Sequence, residues 1–205
     1  IDTRVEFPYD ANFWRMARVE LTRHDNPLFR DGTFVTIATL CADEMHTMHL
    51  GVIASFCVTV LWAAINQNVW GLKTDTDQES QRRRLALHLR KELFSWYDAR
   101  KKSHPDEPVY QIPDFDIGTL GPRDQPVLKA KAAETGTLVR FCADLCRRFE
   151  DKLLGGRALV GCAAALESYL AITRRCGLQF SATDLQSLMD GALIFLSLRE
   201  DAGIP

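Results

Sequence analysis

The sequence predicts a helix-rich α/β domain, with an all-helical (all-α) protein as the alternative. One short apolar stretch, Phe34–Cys41, is rich in β-branched residues, which is typical of a buried strand. The chain beyond it carries four or five stretches that are either periodic at helical spacing or continuously apolar. A strand that ends near an acidic residue and is followed by a run of helices fits the later part of an α/β or α+β domain.

Composition places the chain among ordinary globular proteins. Its 205 residues carry a formal net charge of -2, and 46% of them are hydrophobic and 25% charged. These values exclude a disordered chain, a collagen and a small disulfide scaffold. They also exclude a histone-like polycation but allow local basic patches. The six cysteines include no C-x-x-C pair, so the zinc-ribbon and thioredoxin patterns are absent, and we expect free thiols in the core.

We divide the chain into an irregular N-terminal segment, residues 1–33, and a single helix-rich domain, residues 34–205. Proline, asparagine and glycine interrupt the N-terminal segment repeatedly. The domain contains a proline-rich loop at residues 103–126, which holds five prolines. We expect a surface loop rather than a linker, because periodic sequence resumes directly after it.

The first helical stretch, Leu50–Ile65, is apolar on every face. It has 16 residues, whereas a membrane-spanning helix needs roughly 20. Polar amides follow it instead of a basic anchor. The sequence therefore predicts a buried core helix, with a membrane span as the alternative. In the core helix, the residues expected to pack on neighbouring helices are Val52, Phe56, Val60 and Ala63.

The second stretch, Gln78–Lys102, is amphipathic and basic. Its leucines share one face, and the interval from Glu79 to Lys102 holds eight basic and three acidic residues. Such a surface is typical of a solvated helix face or of contact with phosphate backbones, whose affinity comes mainly from Lys and Arg. The residues proposed for nucleic-acid binding are Arg82, Arg83, Arg84, Arg90 and Lys91.

Three further helices are predicted after the loop. The first lies within Val127–Leu153, and the second is Arg157–Arg175. Thr183 is expected to cap a last helix that runs through Leu198. The residues of this last helix expected to face inward are Leu185, Leu188, Met189, Ala192 and Phe195.

A dense polar cluster, Asp43–His49, directly follows the predicted strand. Asp43, His46 and His49 are spaced three residues apart, so a helix beginning near Asp43 places them roughly along one face. Carboxylates suit Mg²⁺ or Mn²⁺, and imidazoles suit Zn²⁺ or orient a carboxylate ligand. The alternative is that Asp43 caps the following helix and the histidines are surface residues.

Glu134 is the second acidic residue of interest. It precedes the apolar residues Leu138, Phe141 and Leu145 at helical spacing, so it lies on the apolar stripe of its own helix. A buried carboxylate is costly unless it is paired or bound to a metal. Glu134 is therefore expected at the rim of a cleft, facing Asp43. The alternative is that the first turns of the helix overhang the core, so that Glu134 meets solvent or pairs with Lys131.

The residues 43–52, Asp-Glu-Met-His-Thr-Met-His-Leu-Gly-Val, resemble the D-x-M-H-x-x-x-x-G segment of cut-and-paste DNA transposases, especially CACTA-like elements. The residues 128–135 are similar to the K-x-x-E helix start that follows an insertion in those proteins, with Lys131 and Glu134 at the matching positions. Both segments together cover fewer than 20 positions.

The resemblance implies an RNase H-like core with a helical insertion, a D-D-E triad and two-metal phosphoryl transfer on DNA. It assigns catalytic roles to Asp43, Glu134 and His46, and Mg²⁺ or Mn²⁺ ligation to the two acids. Residues 1–33 offer no strand for the first acid of the triad. The chain thus resembles part of a transposase, or a degenerate copy, acting in the nucleus or cytoplasm, with homo-oligomers possible.

Two other functions fit the same sequence. One is a helical structural or interaction subunit, associated with a membrane through Leu50–Ile65 or held in a larger protein complex. The other is a zinc hydrolase built on His46 and His49, for which the sequence supplies no clear third ligand.

Overall fold

The computed structural model describes residues 45–73, 77–176 and 180–205, and these residues form helices joined by turns and loops. They belong to one compact unit, Glu44–Pro205. The mostly helical character is therefore confirmed, and no strand occurs among the described residues. The predicted strand Phe34–Cys41 and the segment 1–33 lie outside them. The elements are a π-helical segment Met45–Ile53, α1 Ala54–Asn66, α2 Gln78–Ser103, α3 Ala132–Arg148, α4 Gly156–Cys176 and α5 Ala182–Leu198, with 3₁₀ turns at Ile117–Leu120 and Glu150–Lys152.

Helix α3 occupies the centre of this unit. It packs against the π-helical segment, α1 and α4, while α2 packs on α1 and α5 packs on α4. Its apolar stripe at helical spacing explains this position, because the stripe supplies one continuous buried surface. The large side chains that are fully buried around it include Tyr97, Phe56, Phe115, Phe141, Leu61, Leu89 and Leu138.

Helix α1 is surrounded by protein, as expected for a core helix. Phe56 and Val60 are fully buried, and Val52 and Ala63 are half-buried. The indole nitrogen of Trp62 donates to the carbonyl oxygen of Leu120 at 3.3 Å. The helical stretch Met45–Asn66 is long and apolar enough to cross a membrane by length and composition, and 56% of its most apolar part is buried within the protein.

The proline-rich loop is less superficial than the sequence predicts. Ile112, Phe115 and Leu120 are buried, although many of their neighbours are exposed. The backbone N–H of Tyr110 donates to Oγ1 of Thr137 on α3 at 3.1 Å. The prolines prevent a helix here, but the apolar residues between them still gain free energy by packing on the core.

The helix ends follow local capping chemistry. The carboxylate of Asp77 accepts the backbone N–H of Ser80 at 2.8 Å and begins α2. At α5 the predicted cap, Thr183, is wrong, because the hydroxyl of Ser181 accepts the backbone N–H of Asp184 at 3.1 Å. The Asp184 carboxylate accepts the backbone N–H of Ser181 in return, at 3.2 Å. This reciprocal capping box satisfies two N–H groups, which a cap at Thr183 would leave without partners.

The inward face predicted for α5 is only partly correct. Phe195 is buried, Leu185, Leu188 and Met189 are half-buried, and Ala192 is exposed. Leu193, Ile194 and Leu196 are exposed as well. The reason is that, among the described helices, α5 packs mainly on α4, so one narrow stripe is covered.

Candidate functional site

The polar cluster after the predicted strand enters the described residues at Met45, and Asp43 lies outside them. From Met45 to Ile53 the chain is a π-helix, whose hydrogen bonds join residues five apart. This wider turn separates residues that an α-helix would align at a spacing of three. Accordingly, His46 is exposed while His49 is half-buried. The two histidines therefore do not present one common face.

His49 faces helix α3 at Gly136. A methyl group on Gly136 would lie 3.0 Å from Cε1 and 3.2 Å from Nδ1 of His49. The close approach explains why glycine suits this helix position, where any side chain would push the imidazole away. Among the described residues, the buried Nδ1 atom of His49 has no hydrogen-bond partner.

Glu134 lies in the first turn of α3, two residues before Gly136. Its Oε2 atom accepts the backbone N–H of Lys131 at 2.8 Å. The carboxylate thus caps the start of its own helix, and the glutamate is half-buried. The predicted pairing with Lys131 exists through the backbone N–H rather than through the ammonium group.

The helix that carries Glu134 packs on the segment that carries the M-H-x-x-x-x-G part of the transposase-like motif. The separation of Asp43 and Glu134 remains a prediction, because Asp43 lies outside the described residues. Within the described ranges, no group of three or more His, Cys, Asp or Glu residues is placed to hold a metal ion.

The basic residues of α2 differ in exposure. Arg83 and Lys91 are exposed, and Arg82, Arg84 and Arg90 are half-buried. Arg83 pairs with Glu79 one turn earlier at 3.2 Å, and Arg90 lies over the ring of Phe94 at 5.5 Å. At the end of the helix Lys101 and Lys102 are also exposed. Both ends of α2 thus present positive charge to solvent.

Four cysteines of the core are free thiols: Cys57, Cys142, Cys146 and Cys162. Burial raises the pKa of Cys142 well above its ordinary value and that of Cys146 to about 12. Neutral thiols are poor metal ligands and poor nucleophiles. Their surroundings fit the expected role of small hydrophobic core residues.

Sequence reasoning missed a group of arginines that converge on one carboxylate. Arg100, Arg140 and Arg174 come from α2, α3 and α4, and all three pair with Glu107 of the proline-rich loop. No local motif predicts this group, since its members lie up to 74 positions apart. The sequence signal for this group is weak: each of the three helices carries an arginine on a face that is otherwise partly apolar.

The chain was compared with known protein families, with curated proteins and with solved structures, and nothing matched.

Proposed function

We propose that this chain is a transposase-derived domain that binds DNA and that it forms part of an RNase H-like domain with a helical insertion. The observation that carries the proposal is the basic, solvent-facing surface of α2. A continuous helix of 26 residues presents an excess of five positive charges between Glu79 and Lys102, although the whole chain has a net charge of -2.

The arrangement of charge on α2 suits a phosphate backbone. Arg83 and Lys91 are eight residues apart on the exposed side, which corresponds to about 12 Å along a helix. Lys101 and Lys102 continue the positive surface toward the end of α2. Neutralising several phosphates releases condensed cations, and this release gives DNA affinity that falls steeply with salt.

The DNA proposal is tested by changing Arg82, Arg83 and Arg84 to alanine together. We expect the slope of log affinity against log salt to flatten by about 2–3, since each lost phosphate contact removes about 0.9 from it. Fluorescence anisotropy of a labelled duplex measures the slope. A second variant, with only the exposed Arg83 and Lys91 changed to alanine, should flatten it by up to about 2 with less effect on folding.

The matched control removes the same charge elsewhere. Arg123, Lys129 and Arg157 are exposed and lie outside α2. Changing these three to alanine should leave the slope nearly unaltered. If this control flattens the slope as much as the α2 variants do, net charge alone governs binding and the assignment to α2 is wrong.

The catalytic part of the proposal assigns Mg²⁺ or Mn²⁺ ligation to Asp43 and Glu134, with His46 beside them. It is supported by the packing of the π-helical segment on α3. Acids from separate elements must converge to hold two ions, which activate a water or 3′-hydroxyl and stabilise the leaving oxygen. Because the sequence supplies two of three acids, cleavage by this chain alone is not expected.

Metal binding is tested with Asp43→Asn and Glu134→Gln. Glutamine keeps the capping acceptor at position 134, so the free energy of unfolding should change by less than about 1 kcal/mol. Each variant should lose at least about tenfold in Mn²⁺ affinity, measured by calorimetry. Unchanged Mn²⁺ affinity in Glu134→Gln would restrict this residue to its role as a helix cap.

The second candidate is a helical interaction subunit, and the apolar surface of α5 favours it. Leu193, Ile194 and Leu196 are 50–62% exposed, next to a cavity of about 450 Å³ between α4, α5 and the π-helical segment. Exposed apolar surface of this kind is typical of protein contacts. Sedimentation at increasing concentration distinguishes this function, because self-association without DNA affinity would support it over the first.

A further inference from the structure

Three arginines surround a single glutamate where α2, α3 and α4 meet the proline-rich loop. Oε2 of Glu107 accepts from Nε and Nη2 of Arg100 at 3.2 and 2.6 Å. Oε1 of Glu107 accepts from Nη1 of Arg174 at 2.7 Å and also pairs with Arg140. We call Arg100, Arg140 and Arg174 the arginine cluster.

The arginine cluster carries more positive charge than Glu107 neutralises. The neighbouring acid Glu167 pairs with Arg147, as does Asp144. Burial, reinforced by the positive charges of Arg174 and Arg100 and partly offset by the negative charge of Glu167, lowers the pKa of Arg140 to about 10. The side chains of Arg100 and Arg140 are only 25% and 20% exposed, so solvent screens this excess poorly.

We propose that the arginine cluster is a binding site for a phosphate group and that Glu107 occupies it until phosphate takes its place. Guanidinium groups match phosphate oxygens with paired, charge-assisted hydrogen bonds. Inorganic phosphate or a phosphate monoester also carries more charge and one or two more acceptor oxygens than a carboxylate, which suits three arginines better than one glutamate does, whereas a DNA phosphodiester equals the carboxylate in charge.

The position of Glu107 allows this exchange. Glu107 lies four residues beyond the end of α2, in the loop, whereas the arginines lie on helices. The pocket lined by the cluster and Glu107 has no space for a water-sized group, so a ligand must displace the carboxylate. The loop is anchored beyond this point by the buried Ile112 and Phe115, so residues near Glu107 can shift without opening the core.

Two sources can supply the phosphate. One is the backbone of DNA, and this source rests on the proposed function. The other is free phosphate or a small phosphate ester, and this source is independent of it.

The first arm of the test measures thermal unfolding of the full chain in inorganic phosphate against chloride of equal ionic strength. In Glu107→Gln the competing charge is gone, so phosphate should raise Tm by about 3–6 °C at ten times its Kd. Above Kd the rise should grow with the logarithm of the phosphate concentration, and it should exceed that of the parent chain. The control is Glu92→Gln, because Glu92 is 20% exposed, close to the 19% of Glu107, and pairs with Arg148 instead.

Phosphate stabilises most proteins weakly through exclusion from the surface. Equal shifts in the parent chain, Glu107→Gln and Glu92→Gln would therefore overturn the site. Should Glu107→Gln fail to fold in both buffers, Arg174→Gln decides, because Arg174 is the most exposed of the three arginines. Phosphate broadening in ³¹P spectra should weaken in Arg174→Gln relative to the parent, and equal broadening would overturn the proposal.

The second arm measures DNA affinity of Glu107→Gln against salt. If a backbone phosphate enters the cluster, the slope should steepen by about 0.9 relative to the parent chain. A Tm shift that is larger in Glu107→Gln than in the parent chain and the control, with an unaltered slope, supports the site and assigns it to a small phosphate. A Tm shift in Glu107→Gln combined with no DNA binding by the parent supports the site while overturning the proposed function.

Discussion

Changing Val60 to lysine is expected to unfold the compact unit Glu44–Pro205. Val60 is fully buried in α1, between helices that offer the new ammonium group no route to solvent. An uncompensated interior charge costs about 3–5 kcal/mol, which is a large share of the stability of an ordinary domain. Circular dichroism and thermal unfolding of the purified chain measure the loss.

The control for Val60→Lys is Asn66→Lys at the exposed end of the same helix. This variant should unfold like the parent chain, because its new charge is in solvent. The membrane alternative expects a different pattern, in which the parent chain requires detergent and Val60→Lys blocks insertion without unfolding the remaining helices. That pattern would contradict the assignment of α1 to a protein core.

A second large loss of stability is expected for Gly155→Ala, in the turn before α4. Gly155 has a φ of +68°, in the left-handed region, and a methyl group there would overlap the carbonyl oxygen of Asp201. The left-handed conformation alone costs about 1–2 kcal/mol for alanine. Because the overlapping atoms belong to backbone, which cannot rotate away, we expect a total loss of about 3 kcal/mol or more.

The variant Gly203→Ala separates the cost of the left-handed backbone conformation from the cost of the steric overlap. Its φ is also +68°, but nothing lies within 4 Å of the position of a methyl group. Gly203→Ala should therefore lose about 1–2 kcal/mol from backbone strain alone. Chemical denaturation of both variants measures the difference. Equal losses would show that the contact between Gly155 and the Asp201 backbone contributes nothing to stability.

Helix positions were predictable from the sequence because each helix has a strong local signal. The predicted range Gln78–Lys102 agrees with α2 to within one residue, because its leucines recur at helical spacing. The start of α5 was missed by two residues, because serine and threonine are both good caps. The choice of Ser181 depends on Asp184, three residues later.

The π-helical geometry of Met45–Ile53 could not be read from the sequence. Apolar runs do not reveal whether hydrogen bonds close four or five residues apart, and the difference decides which faces His46 and His49 occupy. The imidazole of His49 also depends on a close approach to Gly136, 87 positions away. Such contacts are fixed by packing, which periodicity does not encode.

The candidate sites also differ in whether a local sequence pattern or only the packing of distant residues produces them. The basic face of α2 was evident because its charges are consecutive in the chain. The arginine cluster was not, because Arg100, Arg140 and Arg174 have no common local pattern. The catalytic acids remain a prediction from the transposase-like motif, with Glu134 placed at the start of α3 and Asp43 outside the described residues.

The most direct measurement is the affinity of the unmodified chain for a random DNA duplex at several salt concentrations. The proposed function predicts binding at low salt that weakens linearly on a log–log plot. With three to five phosphates contacted along α2, the slope should lie between about -2.7 and -4.5. No binding at low salt, or a slope near zero, would contradict the proposal that this chain is a DNA-binding domain.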